Sequence, residues 1–434
     1  ASVDRSGGFT TKAGGGGGGA DDKVPYVTMM QVRALIAGNA GTCIGKAVTI
    51  AVRYAHVRRQ GFTAAGAGAD PRLTQVYGAA NEHMLLDYPM HQYRLLPLLA
   101  TAYAFRAVGQ DLAASMRALE QRLYAAGGSV TKLELSQLHA TSAGLKALTT
   151  REAAEAIEDA RKCCGGHGYL AASGFPELYT TYLQNCTVEG DNFLLPQQVS
   201  KILAKTFLGV YAGKVTPEGY LAYLGRYRSH VGALWGVRGR NPYEQGGGAG
   251  WTVAGLVAAM EHRAVAHVAR IARVLGAEGS PEERHRRWLD ALVDVDRCCR
   301  AHCWLVVLRS FDAWVRRAAE LGRRERRALA ALVEVFGLYR LLEDAGEFLE
   351  DGYVTGAQVE AARKQLLRTM SEIKKVSLPL VDAFDFSDFE LKSALGRFDG
   401  RVYEALMEST AANPMNGRAF AAKIDGIMQS RSRL

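Results

Sequence analysis

The chain has 434 residues, of which 48% are apolar, and a formal net charge of +9. This composition excludes general disorder, and the length fits roughly two or three domains. No apolar run reaches the ~20 residues of a bilayer span, and residues 1–12 lack the apolar core of a secretory signal, so we expect no membrane span.

The first predicted segments are a leader and three long helices. Residues 1–24 contain six consecutive glycines and indicate a flexible connector. Apolar residues then recur at three- and four-residue steps from Thr28, which predicts a helix. Gly38, Gly41 and Gly45 lower helix propensity there, so we expect a neighbouring helix to pack closely against them. A second helix is predicted after Pro89 and a third over 133–163.

Residues 163–195 interrupt the helical pattern, which resumes from about 195 to 210. Further turn-rich sequence predicts a linker, after which helical periodicity dominates to the end. Strand-type alternation is scarce, so the predicted fold class is all-α with two helical-bundle domains. The predicted boundaries are a leader over 1–24, a first domain over 25–210, a linker over 211–250 and a second domain over 251–434.

Cysteine and arginine clusters allow two further interpretations. Three cysteines lie close together at 298, 299 and 303. Cys299 and Cys303 share a helical face with Val306 and Val307, which favours buried thiols in a reducing compartment over a zinc site. Arginine-rich stretches at 285–288 and 322–327 favour a solvated basic face. A basic helical scaffold that binds nucleic acid is the alternative, although the net charge does not indicate nucleic acid.

The interrupted segment carries the most specific motifs, CGGHGY (164–169) and CTVEGDN (186–192). They resemble the acyl-CoA oxidase family, relatives of the acyl-CoA dehydrogenases. Further similar segments follow in the family's order at 53–60, 91–105, 138–148, 380–386 and 395–406. The resemblance covers nearly everything from Val24 onward. It implies the C-terminal helical part of such an enzyme, without the N-terminal helical and β domains.

The resemblance assigns a catalytic role to Glu189. Family members remove the α-proton of a fatty acyl-CoA with this glutamate while the β-hydrogen leaves as hydride to FAD. The products are trans-2-enoyl-CoA and, after reaction with O2, H2O2. The step needs an apolar environment, which raises the basicity of a carboxylate, and hydrogen bonds to the developing enolate.

The neighbours of Glu189 suit this chemistry. The substrate contacts implied are Val188 and Gly190, because glycine permits close approach of the thioester. We expect an apolar wall from Val188, Phe193, Leu194 and Leu195. The Glu189 backbone N–H is expected to polarise the thioester carbonyl.

The resemblance also implies a set of FAD contacts. They are Arg58, Gln60, His91, Gln92, Gly165, Gly166, Asp191 and Asn192. An arginine fork suits a diphosphate, and glycines let backbone amides approach a ligand closely. Gly61 stands where the family has phenylalanine, and Phe62 follows it. For His167 we expect a structural role.

The implied partners are a second copy of the chain, because one subunit completes the cofactor site of the other, and the missing N-terminal domains. We therefore expect the isolated chain to bind FAD weakly and to turn over poorly. Ser432, Arg433 and Leu434 match the SKL-type address that a peroxisomal import receptor reads. The alternative within the same chemistry is an acyl-CoA dehydrogenase that passes electrons to an electron-transfer flavoprotein. The CGGHGY form, the second helical domain and the tail favour the oxidase.

Overall fold

The structure is a computed structural model. It describes the residues in the ranges 2–3, 9–10, 24–62, 82–125, 130–226, 250–350, 352–417 and 422–424. The tail 432–434 and most of the leader lie outside these residues. In the leader only two short antiparallel strands are described, β1 (Ser2–Val3) and β2 (Phe9–Thr10).

The described chain is almost entirely helical, which confirms the predicted all-α class. The first half contains α1 (Val24–Val57), α2 (Pro89–Tyr124), α3 (Lys132–Cys163), α4 (Phe175–Tyr182), α5 (Leu195–Tyr211) and α6 (Tyr223–Arg226). The second half contains α7 (Val253–Gly276), α8 (Pro281–Asp290), α9 (Leu292–Arg317), α10 (Arg323–Glu343), α11 (Ala345–Glu350), α12 (Gly356–Lys374), α13 (Ser377–Asp382), α14 (Asp388–Leu391) and α15 (Val402–Ala411). A hairpin of β3 (Arg59–Phe62) and β4 (Glu82–Met84) follows α1.

Helix α1 is central and packs along both α2 and α3. The predicted close approach of a neighbouring helix is confirmed at Gly38 and Gly41, whereas Gly45 faces the side chains of Phe384 and Phe386. A Cβ on Gly41 would lie 2.6 Å from the Arg106 backbone nitrogen, and one on Gly109 would lie 2.4 Å from the Gly38 Cα. Among the described helices only α1 is long and apolar enough to cross a membrane, but most of that stretch is buried inside the protein. A central core helix has the same composition.

Local signals fix where α2 and α3 begin, and the start of α2 lies at the cleft described below. Pro89 occupies the first turn of α2, where its missing N–H costs no hydrogen bond. A capping box starts α3: the Thr131 hydroxyl accepts from the Glu134 N–H at 3.1 Å, and the Thr131 N–H donates to the Glu134 carboxylate at 3.0 Å. The next turn begins at Gly165, whose φ is 61°, so the backbone leaves the helical path there.

Helices from both halves contribute to one contiguous hydrophobic core. Part of the predicted linker belongs to it, because Leu221, Tyr223 and Leu224 are fully buried. The Tyr223 hydroxyl is 3.1 Å from His302 Nδ1 on α9. Residues 227–249 lie outside the described residues, and the division into two domains stays a prediction.

The cysteine cluster on α9 is buried, as the sequence predicted. Burial raises the pKa of the Cys298 thiol. In the described ranges no group of three or more histidine, cysteine, aspartate or glutamate side chains is arranged to hold a metal ion.

Candidate functional site

Five of the eight expected FAD contacts line a single cleft of about 590 Å³. The cleft lies where α1 and α3 end and α2 begins. The five residues are Arg58, Gln60, His91, Gly165 and Gly166. Residues that are more than 100 positions apart in sequence therefore meet at one surface.

The hairpin after α1 presents Arg58 and Gln60. The Arg58 N–H still donates to the Tyr54 carbonyl (2.8 Å), so the strand continues directly from the last helical turn. The Tyr88 hydroxyl donates to the Gln60 carbonyl at 2.8 Å and fixes the hairpin against the start of α2. Arg58 Nη1 donates to the Tyr403 hydroxyl at 3.3 Å, a bond that raises the pKa of Arg58.

The glycine turn forms the opposite wall of the cleft. Gly168 is required inside the chain, because a Cβ there would lie 2.2 Å from the Arg161 carbonyl oxygen. Gly165 and Gly166 have open space instead, with no atom within 4 Å of a Cβ. His91 Nε2 lies 3.0 Å from the Cys163 carbonyl at the end of α3. The cleft is thus open at the backbone of Gly165 and Gly166, where a ligand can approach closely.

His167 has a structural contact in the same cleft. Its Nδ1 is 2.8 Å from the Tyr54 hydroxyl, and the two rings meet edge to face. This contact fixes the glycine turn to the last turns of α1. The expected packing role of His167 agrees with it.

Three expected FAD contacts do not line the cleft. Gln92 is buried, and its Nε2 donates to the Leu86 carbonyl at 3.0 Å. Asn192 is also buried, and its Nδ2 donates to the Thr150 hydroxyl at 2.9 Å. The Asp191 carboxylate accepts from the Phe193 N–H at 2.8 Å. In this chain these side chains fix turns, because each already bonds a neighbouring segment.

Glu189 lies elsewhere, in an exposed loop before α5. Its φ is 57°, a left-handed conformation that non-glycine residues rarely adopt. Gly190 follows with a φ of 110°, and a Cβ on it would lie 2.7 Å from Leu195 Cδ2. Glycine is therefore required at 190 by contacts within the chain, whatever the substrate needs.

The expected apolar wall is only partly present. Leu195 is buried in the core, but Val188, Phe193 and Leu194 are 41%, 72% and 54% exposed. The expectation that they enclose Glu189 is wrong for this chain by itself. The reason is geometric: the loop stands at the surface, so its apolar side chains face outward.

Two buried cations hold the Glu189 loop from inside. Arg33 Nε on α1 donates to the Glu189 carbonyl at 3.0 Å. Lys146 Nζ on α3 donates to the Gly190 carbonyl at 2.6 Å and to the Asn192 Oδ1 at 3.1 Å. Burial lowers the pKa of Lys146 to about 8. Neither role was predicted from the sequence, although a lysine inside the apolar stretch 138–148 was a usable signal.

The cleft and the Glu189 loop lie at different positions along the same helices. Arg33, which holds the loop, and Tyr54, which lines the cleft, are 21 residues apart on α1. At 1.5 Å per residue this is roughly 30 Å. Lys146 and Cys163 give 17 residues on α3, or roughly 25 Å. One chain therefore presents the expected site residues at two separate surfaces.

A second cavity of about 550 Å³ lies between α9, α10 and α13. It is mostly apolar, with Tyr103, Trp314 and Leu329 among its lining residues. None of the expected site residues lines it. It is separate from the cleft and from the Glu189 loop.

Family comparisons match both halves of the chain. The family described as "Acyl-CoA oxidase, C-alpha1 domain" matches residues 26–204, and "Acyl-CoA oxidase" matches residues 252–429. A putative peroxisomal acyl-coenzyme A oxidase 1.2 of Arabidopsis thaliana is 38% identical over 392 residues, which are 90% of this chain and 54% of that protein. Peroxisomal acyl-coenzyme A oxidase 1 of Rattus norvegicus is 35% identical over 410 residues, 91% of this chain and 56% of that protein.

Solved structures give the same picture. Acyl-CoA oxidase 1 of Arabidopsis thaliana superposes with a TM-score of 0.80 at 32% identity, covering 99% of this chain and 60% of that one. Acyl-CoA oxidase-1 of Caenorhabditis elegans, complexed with FAD and ATP, gives 0.76 at 28% identity, covering 93% of this chain and 57% of that one. The chain thus spans about half the length of the relatives it matches, in their C-terminal part.

Proposed function

Because this chain belongs to the acyl-CoA oxidase family, we propose that it is the C-terminal helical part of an FAD-dependent acyl-CoA oxidase. The complete enzyme would convert a fatty acyl-CoA to trans-2-enoyl-CoA and reduce O2 to H2O2. The observation that carries this proposal is the cleft, which is lined by Arg58 and by the open glycines at 165 and 166.

The cleft residues fit the dinucleotide part of FAD. The Arg58 guanidinium offers a donor fork for a diphosphate. At Gly166 nothing in the chain occupies the position of a side chain, so a ligand can approach the backbone closely. Gln60 and His91 add polar groups at the rim. When bound, FAD supplies the acceptor for the hydride that leaves the β-carbon.

Glu189 is the proposed base that takes the α-proton. Its own backbone N–H and those of Gly190 and Asp191 have no hydrogen-bond acceptor in the described part of the chain. Successive free N–H groups around a left-handed residue form a concavity suited to a negatively charged oxygen. They can therefore stabilise the thioester oxygen as the α-proton leaves.

The exposed apolar residues of the Glu189 loop support a partner surface. Val188, Phe193 and Leu194 lie beside an acid that needs a dry environment. We propose that the N-terminal part of the complete enzyme covers them. That part would also hold the flavin ring, for which we assign no residue in this chain.

The separation of the two surfaces supports a homodimer. The Glu189 loop and the cleft of one chain are roughly 25–30 Å apart along α1 and α3. In a two-fold dimer each surface of one chain can meet the complementary surface of its partner. The cleft of one subunit would then bind the nucleotide that serves Glu189 of the other.

The test is the variant Glu189→Gln in the complete enzyme. It keeps the size of the side chain and removes the base. We expect anaerobic flavin reduction by acyl-CoA to slow by about 10²–10⁴-fold, with FAD still bound. Glu155→Gln, at an exposed acid on α3, is the control. Wild-type reduction in Glu189→Gln would contradict the proposal.

Oxygen use is tested on the same reduced enzyme. Exposure to air after anaerobic reduction should restore the oxidised flavin and release H2O2. A reduced flavin that persists in air would favour the dehydrogenase alternative instead.

We also propose a peroxisomal location, since the matched Arabidopsis and rat relatives are named peroxisomal. The tail Ser432-Arg433-Leu434 has the form of the receptor-read address. A fluorescent fusion that ends in this tail should localise to peroxisomes, and deletion of Leu434 should leave it in the cytosol.

A further inference from the structure

The backbone around Glu189 is held in an unfavourable conformation. Glu189 and Gly190 both have positive φ, at 57° and 110°. A left-handed non-glycine residue persists only where its surroundings determine it. Two contacts meet this requirement, from Arg33 to the Glu189 carbonyl and from Lys146 to the Gly190 carbonyl.

Both cations are buried and form no direct ion pair in the described part of the chain. Arg33 is 4% exposed and Lys146 is fully buried. Neither forms an ion pair with any residue that the structure describes. Burial of an unpaired cation is costly, and an apolar side chain of similar size would usually be no less stable. Two such cations on one loop therefore indicate a requirement other than stability.

That requirement is the orientation of the peptide groups. In a trans peptide the N–H points opposite to the C=O. Because Arg33 draws the Glu189 carbonyl inward, the Gly190 N–H is turned outward. Lys146 does the same to the Gly190 carbonyl, which turns the Asp191 N–H outward. These outward N–H groups and the exposed Glu189 carboxylate belong to the same turn.

We propose that Arg33 and Lys146 are positioning residues that hold the Glu189 loop in its reactive shape. They act through the backbone and do not touch the substrate. The proposal rests on the role of Glu189 given under Proposed function, but its first test does not need that role.

The charge on Lys146 gives the proposal a pH signature. The groups that act on its ammonium are Arg33 from α1 and, from the loop, Cys186, Glu189, Asp191, Asn192 and the Gly190 carbonyl. Burial is the largest influence and lowers the pKa of Lys146 to about 8. As pH rises past 8, the charge-assisted bond to the Gly190 carbonyl weakens and the loop should loosen.

The free energy of unfolding should increase with pH, although the loop loosens. Between pH about 8 and the ordinary lysine value of about 10.4 the unfolded chain binds a proton that the folded chain has lost. The free energy of unfolding therefore rises with pH over this window. If Lys146 served only to stabilise the fold, the loop would not loosen over the same pH range in which the free energy of unfolding rises.

The first test is proteolysis of the 434-residue chain with a glutamate-specific protease. Cleavage after Glu189 gives a fragment that begins at Gly190, which mass spectrometry identifies. We expect Lys146→Met and Arg33→Met to raise this cleavage rate about tenfold, with an unchanged or higher melting temperature. Lys205→Met, at an exposed lysine on α5, is the matched control and should behave as wild type.

A second measurement needs no variant. In the wild-type chain, cleavage after Glu189 should rise as pH increases from 7 to 9.5, relative to cleavage of a glutamyl reference peptide. Cleavage rates in the two methionine variants within twofold of wild type, or no such rise with pH, would overturn the positioning role.

Activity of the complete enzyme then separates the two proposals. We expect Lys146→Met to lower the rate of flavin reduction about tenfold or more at pH 7, with little change in acyl-CoA binding, and to remove the loss of rate above pH 8. The loop could be loosened in Lys146→Met while both Lys146→Met and Glu189→Gln reduce the flavin at the normal rate. That result would contradict the role of Glu189 and leave the structural effect of the cations intact.

Discussion

In the 165–168 turn, glycine stands at positions 166 and 168 for different physical reasons. Gly168 packs against the Arg161 carbonyl, where a Cβ would lie at 2.2 Å. Gly166 has open space toward the cleft. The first glycine serves the fold, while the second has no role inside the described chain and is available to a ligand.

A pair of variants separates these roles. Gly168→Ala should lower the free energy of unfolding by about 1–3 kcal/mol, as overpacking does. Gly166→Val should leave stability unchanged and weaken FAD binding to the complete enzyme at least tenfold, because its branched side chain fills the floor of the cleft. Thermal denaturation and flavin titration measure the two effects. Normal FAD affinity in Gly166→Val would remove this turn from the cofactor site.

At the same scale the sequence predicted some residues and missed others. Arg58 and the glycine turn were predicted through the family resemblance, and both line the cleft. Asn192 was expected at the cofactor but faces Thr150, since its position depends on how the loop folds back onto α3. Arg33 was missed because a lone arginine in a helical pattern does not reveal its distant partner.

At the scale of elements, the crossing of α1 and α2 fixes the frame that carries both surfaces. A Cβ on Gly38 would meet the Gly109 Cα at 3.5 Å, an ordinary contact. A Cβ on Gly41 would lie 2.9 Å from the Ala102 carbonyl, as well as close to the Arg106 nitrogen. Space is therefore absent at Gly41 and sufficient at Gly38.

The crossing gives a matched pair of alanine variants. Gly41→Ala should destabilise the protein by about 1–3 kcal/mol, because two rigid backbones must separate. Gly38→Ala should be neutral or slightly stabilising, since alanine favours a helix over glycine by up to about 1 kcal/mol. Chemical denaturation of both variants measures the difference. Equal stabilities would show that the helices adjust more easily than the contact distances imply.

Helix ends were predictable to within a few residues, while the packing of short segments was not. Pro89 and the capping box at Thr131 are local signals. The hairpin of β3 and β4 was not predicted, because its strands are too short to show alternation. Helix α6 was assigned to a linker, because nothing local reveals that Tyr223 fills a space beside His302.

At the scale of the whole molecule, two surfaces roughly 25–30 Å apart on one chain require a second subunit in the proposed enzyme. Both surfaces are built on α1 and α3, which pack along each other, so the two surfaces keep a fixed relation. The contiguous core also joins both halves of the chain. Buried ion pairs also connect the two halves of the chain. Glu152 on α3 bonds Arg340 on α10 at 3.3 Å, and burial raises the pKa of Glu152.

The dimer predicts complementation between two inactive variants. Glu189→Gln removes the base, and Gly166→Val blocks the cleft. In a hybrid dimer one site combines the intact base of one subunit with the intact cleft of the other. Random mixing should therefore restore about a quarter of wild-type activity, because half the dimers are hybrids with one good site each. Peroxide production after co-expression measures it, with each variant alone as the control; no recovery would contradict shared sites.

The sequence by itself determined the helical class, the main helices and the family resemblance, and it led to the roles proposed for Glu189 and for the cleft residues. These follow from local periodicity and from motifs whose chemistry requires particular residues. Only the tertiary structure decided that Arg58 and the glycine turn line one cleft. It also decided that Asn192 faces inward, and that Arg33 and Lys146 hold the Glu189 loop. The physical reason is that these contacts join segments 40 or more residues apart, and their geometry depends on how helices pack, which no local pattern encodes.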